Sequence, residues 1–287
     1  MFVSILTNTF TVCRDAAGIA GNIFAFGLFV SPIPTFRRII RNQSTEQFSG
    51  LPYVYALLNC MICTWYGTPL ISHNNVPVMT VNSIGAVFQL AYIILFIVYA
   101  DKEKKMRMLG LLLGVFGLLA IIVAGSMQIV DREARWIFVG LLSCGSLISM
   151  FASPLFIINL VIQTKSVEYM PFYLSLSTFL MSTSFFLYGI FNFDAFIYVP
   201  NGIGTILGIV QLALYFYYKR KSVEDSREPL IVSHAQKVLM LRVYSDGNAD
   251  TGHQGLSAYA NELKSDCSLR LTGLEIATPF APNYFSA

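Results

Sequence analysis

Charged residues are scarce in this chain of 287 residues. Asp, Glu, Lys and Arg together make up 12% of the sequence, against about 25% in soluble domains. The net charge is only +3 and the basic residues lie in short clusters between apolar runs, which disfavours nucleic acid as a partner. With 55% hydrophobic residues and a mean hydropathy of +0.61, the composition indicates a membrane protein.

The apolar runs themselves lack titratable side chains. No Asp, Glu, Lys, Arg or His falls in the central part of any of them. Such residues mark proton relays, ion pathways and voltage sensors in membranes, so a proton-coupled pump is disfavoured. General acid-base and metal chemistry need them as well, and we therefore predict no enzyme activity and no cofactor.

Seven apolar segments are present, and each is long enough to cross a membrane, which takes roughly 20 residues. Lys and Arg cluster in the loops after the first, third, fifth and seventh segments. Because cytoplasmic loops carry this excess, the N-terminus is predicted outside or in a lumen and the C-terminus in the cytosol. The predicted spans are Ala17–Phe36, Leu51–Ile71, Val76–Tyr99, Met108–Gln128, Trp136–Ile158, Pro171–Phe191 and Phe196–Tyr218.

The halves of the chain on either side of the fourth span share four landmarks in the same order. They are Ser-Pro at 31–32 and 153–154, a motif at 43–53 and 163–172, Tyr-Gly at 66–67 and 188–189, and Asn-x-x-Gly at 82–85 and 201–204. Each half has three spans, so a linker span is needed to give both halves the same direction.

The predicted fold is therefore an all-α membrane protein with seven transmembrane helices arranged 3+1+3, as two parallel three-helix bundles. Its units are a first repeat at 1–100, a linker helix at 101–132 and a second repeat at 133–221. Residues 222–287 form a polar cytosolic tail, which is predicted to be disordered.

Neutral polar and aromatic residues are the candidates for contact with a solute. Asn82 and Asn201 lie at equivalent places in the repeats, and an amide offers two donors and an acceptor to a hydroxyl-rich solute. The alternative is that both bond across helices and stabilise the bundle. Trp65 and its approximate counterpart Phe185 either stack on a sugar ring or anchor their helices at the membrane interface.

Four prolines form two matched pairs, Pro32 with Pro154 and Pro52 with Pro171. A proline inside a spanning helix removes a backbone hydrogen bond and introduces a kink, so symmetric kinks can act as hinges. Pro52 and Pro171 begin spans, where the missing donor costs little, and helix-start placement explains them equally well. Pro32 and Pro154 are the better hinge candidates.

These motifs resemble those of the plant SWEET (MtN3/saliva) sugar facilitators over residues 17–221. The resemblance implies bidirectional, uncoupled transport of sugars by alternating access. It also implies that Asn82 and Asn201 bind the substrate, that the four prolines form a gate, and that the protein is a homo-oligomer, commonly a trimer, in the lipid bilayer. The residues that carry the resemblance are 31–36, 44–53, 170–172 and 200–204.

The same resemblance assigns further pocket positions. Members that transport sucrose have serines at several of these places and a tryptophan at the place of Phe185. Bulky Met61 and Met181 therefore favour a tighter pocket and a glucose-like sugar over sucrose. The assigned positions are Ala25, Leu28, Met61, Trp65, Leu147, Met150, Met181 and Phe185.

Two other functions share parts of this pattern. A seven-helix receptor has the same number of spans and an outside N-terminus, but it is not expected to carry a parallel repeat. A neutral-solute channel differs from a carrier only in its kinetics. An acidic stretch before Leu230-Ile231 partly resembles a vacuolar sorting signal, so the predicted location is the vacuolar membrane or the plasma membrane.

Overall fold

The computed structural model describes residues 2–73, 75–167 and 170–247, and helices dominate these ranges. Short turns join most of the helices, as the predicted all-α fold requires. The helices are α1 (Phe2–Val30), α2 (Ile33–Asn42), α3 (Leu51–Tyr66), α4 (Val76–Tyr99), α5 (Lys102–Gln128), α6 (Arg132–Ser149), α7 (Ala152–Thr164), α8 (Phe172–Phe191) and α9 (Ala195–Gly247).

Breaks beside prolines divide two of the long apolar segments into two helices each. The carbonyl of Leu28 accepts a bond from the Ser31 amide at 3.3 Å, because Pro32 has no N–H with which to continue the α-helical pattern. α6 likewise ends at Ser149, and Pro154 lies in the first turn of α7, where a missing donor is tolerated. The breaks thus lie at the two prolines that the sequence singles out as hinge candidates.

Six helical segments of the described chain are long and apolar enough to cross a membrane. The predicted span Leu51–Ile71 differs from them, since α3 has only 16 residues and ends at Tyr66. Its length is about 24 Å at 1.5 Å per residue. Pro69 explains why Ile71 was the wrong end, because the residue before a proline is pushed out of the helical conformation. The all-α seven-helix fold is confirmed, with α3 as its shortest crossing.

Each half of the chain packs around its last helix. In the first half α4 packs against α1, α2 and α3, and in the second half α9 packs against α6, α7 and α8. The halves meet where α1 lies against α8 and where α3 lies against α6. α5 contacts α3, α4 and α6 and so bridges the halves. The surface between the halves is therefore built mainly from α1, α3, α6 and α8.

The two ends of the bundle carry different residues, and we name them accordingly. The proline end is where α1 passes into α2, α3 begins, α6 passes into α7 and α8 begins, and it carries the four matched prolines. The aspartate end is the opposite one, where Asp194 lies between α8 and α9. The basic residues of α2, of the start of α5 and of positions 219–221 all lie toward the proline end.

The last helix is longer than predicted. Disorder is expected from residue 222, whereas α9 continues to Gly247. Residues 222–247 mix good helix formers such as Leu and Glu with Ser, Val and Pro229, so their composition does not account for a helix, and the disordered tail stays a prediction. The rest of the predicted tail, 248–287, and the Glu168-Tyr169 part of the repeated motif lie outside the described residues.

Candidate functional site

The same close contact between two helices occurs in each half and gives a common reference point for comparing them. A Cβ atom added to Gly67 would lie 2.7 Å from the backbone nitrogen of Met79, and one added to Gly189 would lie 2.6 Å from that of Tyr198. Glycine permits this approach because it has no Cβ. Positions in the two halves can therefore be compared by counting back from the two glycines.

Asn82 on α4 and Asn201 on α9 make the same hydrogen bond within their helices. Asn82 Nδ2 donates to the Val78 carbonyl at 2.9 Å, and Asn201 Nδ2 donates to the Ile197 carbonyl at 2.8 Å. Neither amide oxygen has a hydrogen-bond partner within the described residues. Asn201 is 9% exposed and Asn82 is half-buried. Bonds within the helix thus hold both side chains and leave an acceptor available at each, whereas the bond across helices is not made.

An apolar core lies beside the two asparagines. Ala25 of α1 and Phe185 of α8 are both buried in it, together with Val81 and Ile197. The Phe185 ring also rests on Gly21 of α1, where an added Cβ would lie 2.7 Å from a ring carbon. The predicted pocket residues Ala25 and Phe185 therefore lie together where the halves meet.

Four more predicted pocket residues lie between this core and the proline end. Leu28 is close to the end of α1, Leu147 and Met150 are close to the end of α6, and Met181 is in the half of α8 nearer the proline end. All four are half-buried, whereas Ala25 is fully buried. The surface between the halves thus becomes more accessible toward the proline end.

The remaining two predicted pocket residues are Trp65 and Met61, which make contacts inside the first half and with α5. The Trp65 indole N–H donates to Ser126 Oγ at 3.1 Å, which ties the polar edge of the ring to α5. Met61 packs on an apolar cluster inside the first bundle, which includes Phe36 and Tyr92. Trp65 also packs against the core that contains Ala25 and Phe185, so its place in the pocket, like that of Met61, stays a prediction.

By this count, Cys63 occupies the position in the first half that is equivalent to Phe185 in the second. Phe185 lies four residues before Gly189, and the residue four before Gly67 is Cys63 rather than Trp65. Two residues along an α-helix correspond to a rotation of about 200°, which carries a side chain to another face. The first half therefore presents a small thiol where the second half presents a phenyl ring.

Asn59 takes the place that corresponds to Met181, by the same count. It is buried, and its Oδ1 accepts from Ser146 Oγ of α6 at 3.0 Å. Cys63 Sγ lies 3.2 Å from Ser143 Oγ on the same helix. Both residues thus line the surface between the halves. Sequence reasoning missed them, although counting from the Tyr-Gly landmark was sufficient to find them.

The prolines differ in exposure. Pro171 is exposed, and Pro32, Pro52 and Pro154 are half-buried. Nearby, the hydroxyls of Tyr55 and Ser149 form a hydrogen bond between α3 and α6. Of the hydrogen bonds that we find between the halves, this one lies nearest the proline end.

A buried carboxylate joins the halves at the opposite end. Asp194 is 4% exposed, and the Tyr66 hydroxyl lies 2.7 and 2.6 Å from its two oxygens. Asn75 Nδ2 donates to the same carboxylate at 2.8 Å, and the backbone N–H of Phe196 donates to it at 3.1 Å. The last bond is an N-cap of α9. Asp194 therefore links α3 and the α3–α4 loop to the second half.

A further shell of hydrogen bonds surrounds this carboxylate. Asn75 Oδ1 accepts from the Tyr188 hydroxyl at 3.2 Å and from Asn192 Nδ2 at 2.7 Å. The Trp136 indole N–H donates to the Tyr66 hydroxyl at 3.0 Å. Side chains from α3, α6 and α8 thus meet at the aspartate end, and together they close it.

The buried carboxylate of Asp194 is stabilised by hydrogen bonds from neutral donors. It is the one buried charged side chain in the part of the chain whose side chains are described. Burial of a carboxylate costs several kcal/mol unless hydrogen bonds offset it, and each donor left unsatisfied by its removal would cost about 1–3 kcal/mol. The sequence gives little signal for this role, because a lone Asp between two spans looks like an ordinary loop residue.

Charged contacts at the proline end lie nearer the surface. Arg38 and Glu46 form an ion pair at 2.5 Å, and Lys104 Nζ donates to the Glu46 carbonyl at 2.6 Å. Hydrogen bonds from Arg38 and then from Asn42 hold the pKa of the Glu46 carboxyl below its usual range. These contacts fasten the loop between α2 and α3 to α2 and α5.

Known proteins share this sequence pattern over most of the chain. The sequence model of the MtN3/saliva family, described as "Sugar efflux transporter for intercellular exchange", matches residues 15–104 and 137–223. Bidirectional sugar transporter SWEET2 of Arabidopsis thaliana is 72% identical over 235 residues, which cover 82% of this chain and 100% of that relative. Bidirectional sugar transporter SWEET2a of Oryza sativa subsp. indica is 62% identical over 223 residues, with coverage of 78% and 91%.

The fold is shared as well. The solved structure of a eukaryotic SWEET transporter matches with a TM-score of 0.73 and 56% sequence identity, over 74% of this chain and 99% of that one. The family is one of transporters and not of enzymes. The family model covers more than half of the chain in two segments, and these segments correspond to the two halves that pack around α4 and α9. This chain belongs to the MtN3/saliva, or SWEET, family of sugar transporters.

Proposed function

We propose that this protein carries neutral sugars passively in both directions, without a coupled ion, by alternating access between its two halves. The observation that carries the proposal is the matched pair Asn82 and Asn201, whose amide oxygens have no partner in the described part of the chain. Sugar hydroxyls are suitable donors to them. The relatives' name, bidirectional sugar transporter, supports the substrate class and both directions of transport.

The charge distribution supports uncoupled transport. A proton- or ion-coupled carrier places titratable residues along its pathway. Asp194 is the one buried charged side chain that we can describe, and it lies at an end of the bundle, where it bonds to Tyr66 and Asn75. No such group lies beside Asn82 or Asn201 in their helices. We therefore propose that the concentration gradient of the sugar alone drives its transport.

The difference between the two ends supports a carrier. The aspartate end is held by hydrogen bonds that water or sugar hydroxyls can replace, while the helices at the proline end break beside Pro32 and Pro154. In our proposal the repeats 1–100 and 133–221 move against each other around the linker 101–132, with the prolines as hinges. The matched contacts of Gly67 and Gly189 support the repeat.

Counterflow tests the mechanism. Proteoliposomes loaded with unlabelled glucose should take up labelled glucose faster than empty ones, and the flux should saturate. Linear flux without counterflow would indicate the alternative, a channel. The other alternative, a seven-helix receptor, is not compatible with membership of a transporter family.

Substitution of the asparagines tests the site. Asn82→Ala and Asn201→Ala should each lower uptake about tenfold at equal surface expression, because one hydrogen bond to the sugar is worth roughly that factor. Asn159→Ala on the exposed face of α7 is the matched control and should transport normally. Normal uptake by both asparagine variants would contradict the assigned site.

A glucose-like sugar fits the proposal better than sucrose, because Met181 and Phe185 fill the surface between the halves on the side of α8. Met181→Ser should raise the ratio of sucrose to glucose uptake. Met61→Ser removes the same volume from the cluster inside the first bundle and should leave the ratio unchanged. Equal ratios in the two variants would rule out Met181 as a determinant of substrate size.

Orientation and assembly are part of the same proposal. The basic residues gathered at the proline end support a cytosolic location for that end and for the C-terminus, with the aspartate end outside or in a lumen. We expect a homo-oligomer, a trimer by family resemblance, in the vacuolar or the plasma membrane. Labelling of a C-terminal tag only after permeabilisation checks the orientation, and the mass of the detergent-solubilised protein checks the trimer.

A further inference from the structure

A cavity of about 460 Å³ opens at the aspartate end, outside the closed network. This volume falls within the roughly 300–1,000 Å³ typical of small-molecule sites. Three elements contribute to its wall: the α3–α4 loop, the start of α6 and the turn between α8 and α9. The residues that matter for its chemistry are His73, Arg132, Glu133, Trp136, Asn192 and Asp194.

We propose that this cavity is an outer sugar-binding site, in which a neutral sugar binds before the aspartate end opens and competes with Tyr66 for the carboxylate of Asp194. The inference rests on the proposed sugar transport and adds a second place where the same class of substrate binds. It concerns a part of the molecule separate from Asn82 and Asn201.

The chemistry of the wall favours a neutral hydroxylated ligand over an ion. Glu133 and Asp194 are acceptors, while Arg132 is a donor, so both kinds of group are present. Every sugar hydroxyl both donates and accepts. The two carboxylates disfavour an anion, and the Arg132 guanidinium offers donors that a hydroxyl oxygen can accept but a cation cannot use. The Trp136 side chain adds an aromatic surface for the apolar side of a sugar ring.

Several of these wall residues have hydrogen-bonding groups that the described part of the protein does not use. Glu133 makes no ion pair or hydrogen bond with the part of the chain that the structure describes. Arg132 uses one N–H toward His73 Nε2 at 3.2 Å, which leaves further N–H groups of the five in a guanidinium. These exposed groups can bind a ligand without first breaking a bond within the protein.

The same carboxylate connects the cavity to the closed end. Asp194 lines the cavity and also accepts from Tyr66 and Asn75. The hydroxyl of Tyr66 accepts from the indole of Trp136, another wall residue. A sugar hydroxyl that donates to Asp194 would replace the Tyr66 hydroxyl and release α3 from the second half. Binding in the outer site and opening of this end are thus coupled, and the coupling is reciprocal.

The fluorescence of Trp136 can report binding at this site. The chain contains two tryptophans, so Trp65→Phe leaves Trp136 as the single tryptophan. In that background Asn82→Ala and Asn201→Ala remove the inner site. Titration of the full-length protein with glucose should still give a saturable change in Trp136 fluorescence. Glu133→Gln should weaken this binding about tenfold, whereas Glu103→Gln, the same change at the exposed start of α5, should leave it unaltered.

Three results would overturn the outer site: no saturable Trp136 signal with the asparagines intact, loss of the signal when the asparagines are replaced, or equal affinities for the two glutamine variants. If Trp65→Phe does not yield a monodisperse protein, calorimetric titration of the Asn82→Ala, Asn201→Ala protein with glucose decides the same question. Counterflow without a Trp136 signal would refute the outer site alone. A Trp136 signal without counterflow would refute the proposed transport mechanism alone.

Discussion

The two ends of the bundle hold the halves together in different ways. At the aspartate end a buried carboxylate, two tyrosines and two asparagines bond across the halves, and most of the interaction is hidden from water. At the proline end the helices break, and the ion pair of Arg38 with Glu46 joins α2 to the loop that follows it, within one half. The aspartate end thus has a buried hydrogen-bond network between the halves, whereas near the proline end we find one such bond, between Tyr55 and Ser149, and the ion pair lies within a half.

Under the proposed alternating access, this difference explains how a carrier without titratable groups at its centre could open one end at a time. Neutral donors around Asp194 can exchange their bonds for bonds to water or sugar, so the closed end can open without moving a bare charge into the bilayer. The breaks beside Pro32 and Pro154 let α2 and α7 follow their own half. In the proposed mechanism, polar bonds close the aspartate end and the helix breaks act as hinges.

The largest effect is expected at the aspartate end. Asp194→Ala leaves Tyr66 and Asn75 without their acceptor, at about 1–3 kcal/mol for each donor. Thermal unfolding in detergent should occur at a clearly lower temperature, and uptake should be lost. Asp131→Ala is the matched control, since Asp131 caps α6 on the same side but is exposed, and a cap costs only about 1 kcal/mol. Equal losses in the two variants would contradict the special role of Asp194.

A smaller effect of different kind is expected at the proline end. Pro32→Ala and Pro154→Ala restore a backbone donor and favour a continuous helix, so stability should be kept or raised. Uptake should fall about fivefold, the factor that corresponds to roughly 1 kcal/mol of stabilisation of one conformation. Pro52→Ala and Pro171→Ala, at helix starts, should have less effect on uptake. Unchanged uptake in Pro32→Ala and Pro154→Ala would contradict the assignment of these prolines as hinges.

The smallest effect is expected for the half-buried contacts of Glu46. Its pKa is lowered in the folded protein, so its contribution to stability is present above the unfolded pKa of about 4.3 and is lost as pH falls through the lower folded value. Glu46→Gln should unfold at a slightly lower temperature at neutral pH, and the difference from the parent protein should vanish in acid. Glu103→Gln, at an exposed position without a hydrogen bond or ion pair in the described part of the chain, is the matched control and should change the unfolding temperature less at neutral pH.

Sequence reasoning reached the helices and the matched asparagines because both depend on local signals: long apolar runs, prolines and repeated dipeptides. It placed the end of α3 too late because the apolar run continues beyond Tyr66, and only Pro69 stops the helix. Trp65 is the approximate counterpart of Phe185 by residue type, whereas counting from the matched glycines gives Cys63 as the equivalent position. The role of Asp194 depends on contacts with residues more than 100 positions away, which a single sequence does not display.

A reversible bridge across the aspartate end tests the central claim most directly. Asn75 and Asn192 lie on opposite halves, and their side chains are 2.7 Å apart. In the double variant Asn75→Cys, Asn192→Cys, a short thiol cross-linker should abolish sugar counterflow, and reductant should restore it. The single variants, treated in the same way, should continue to transport. Counterflow that persists with the bridge in place would contradict alternating access at this end.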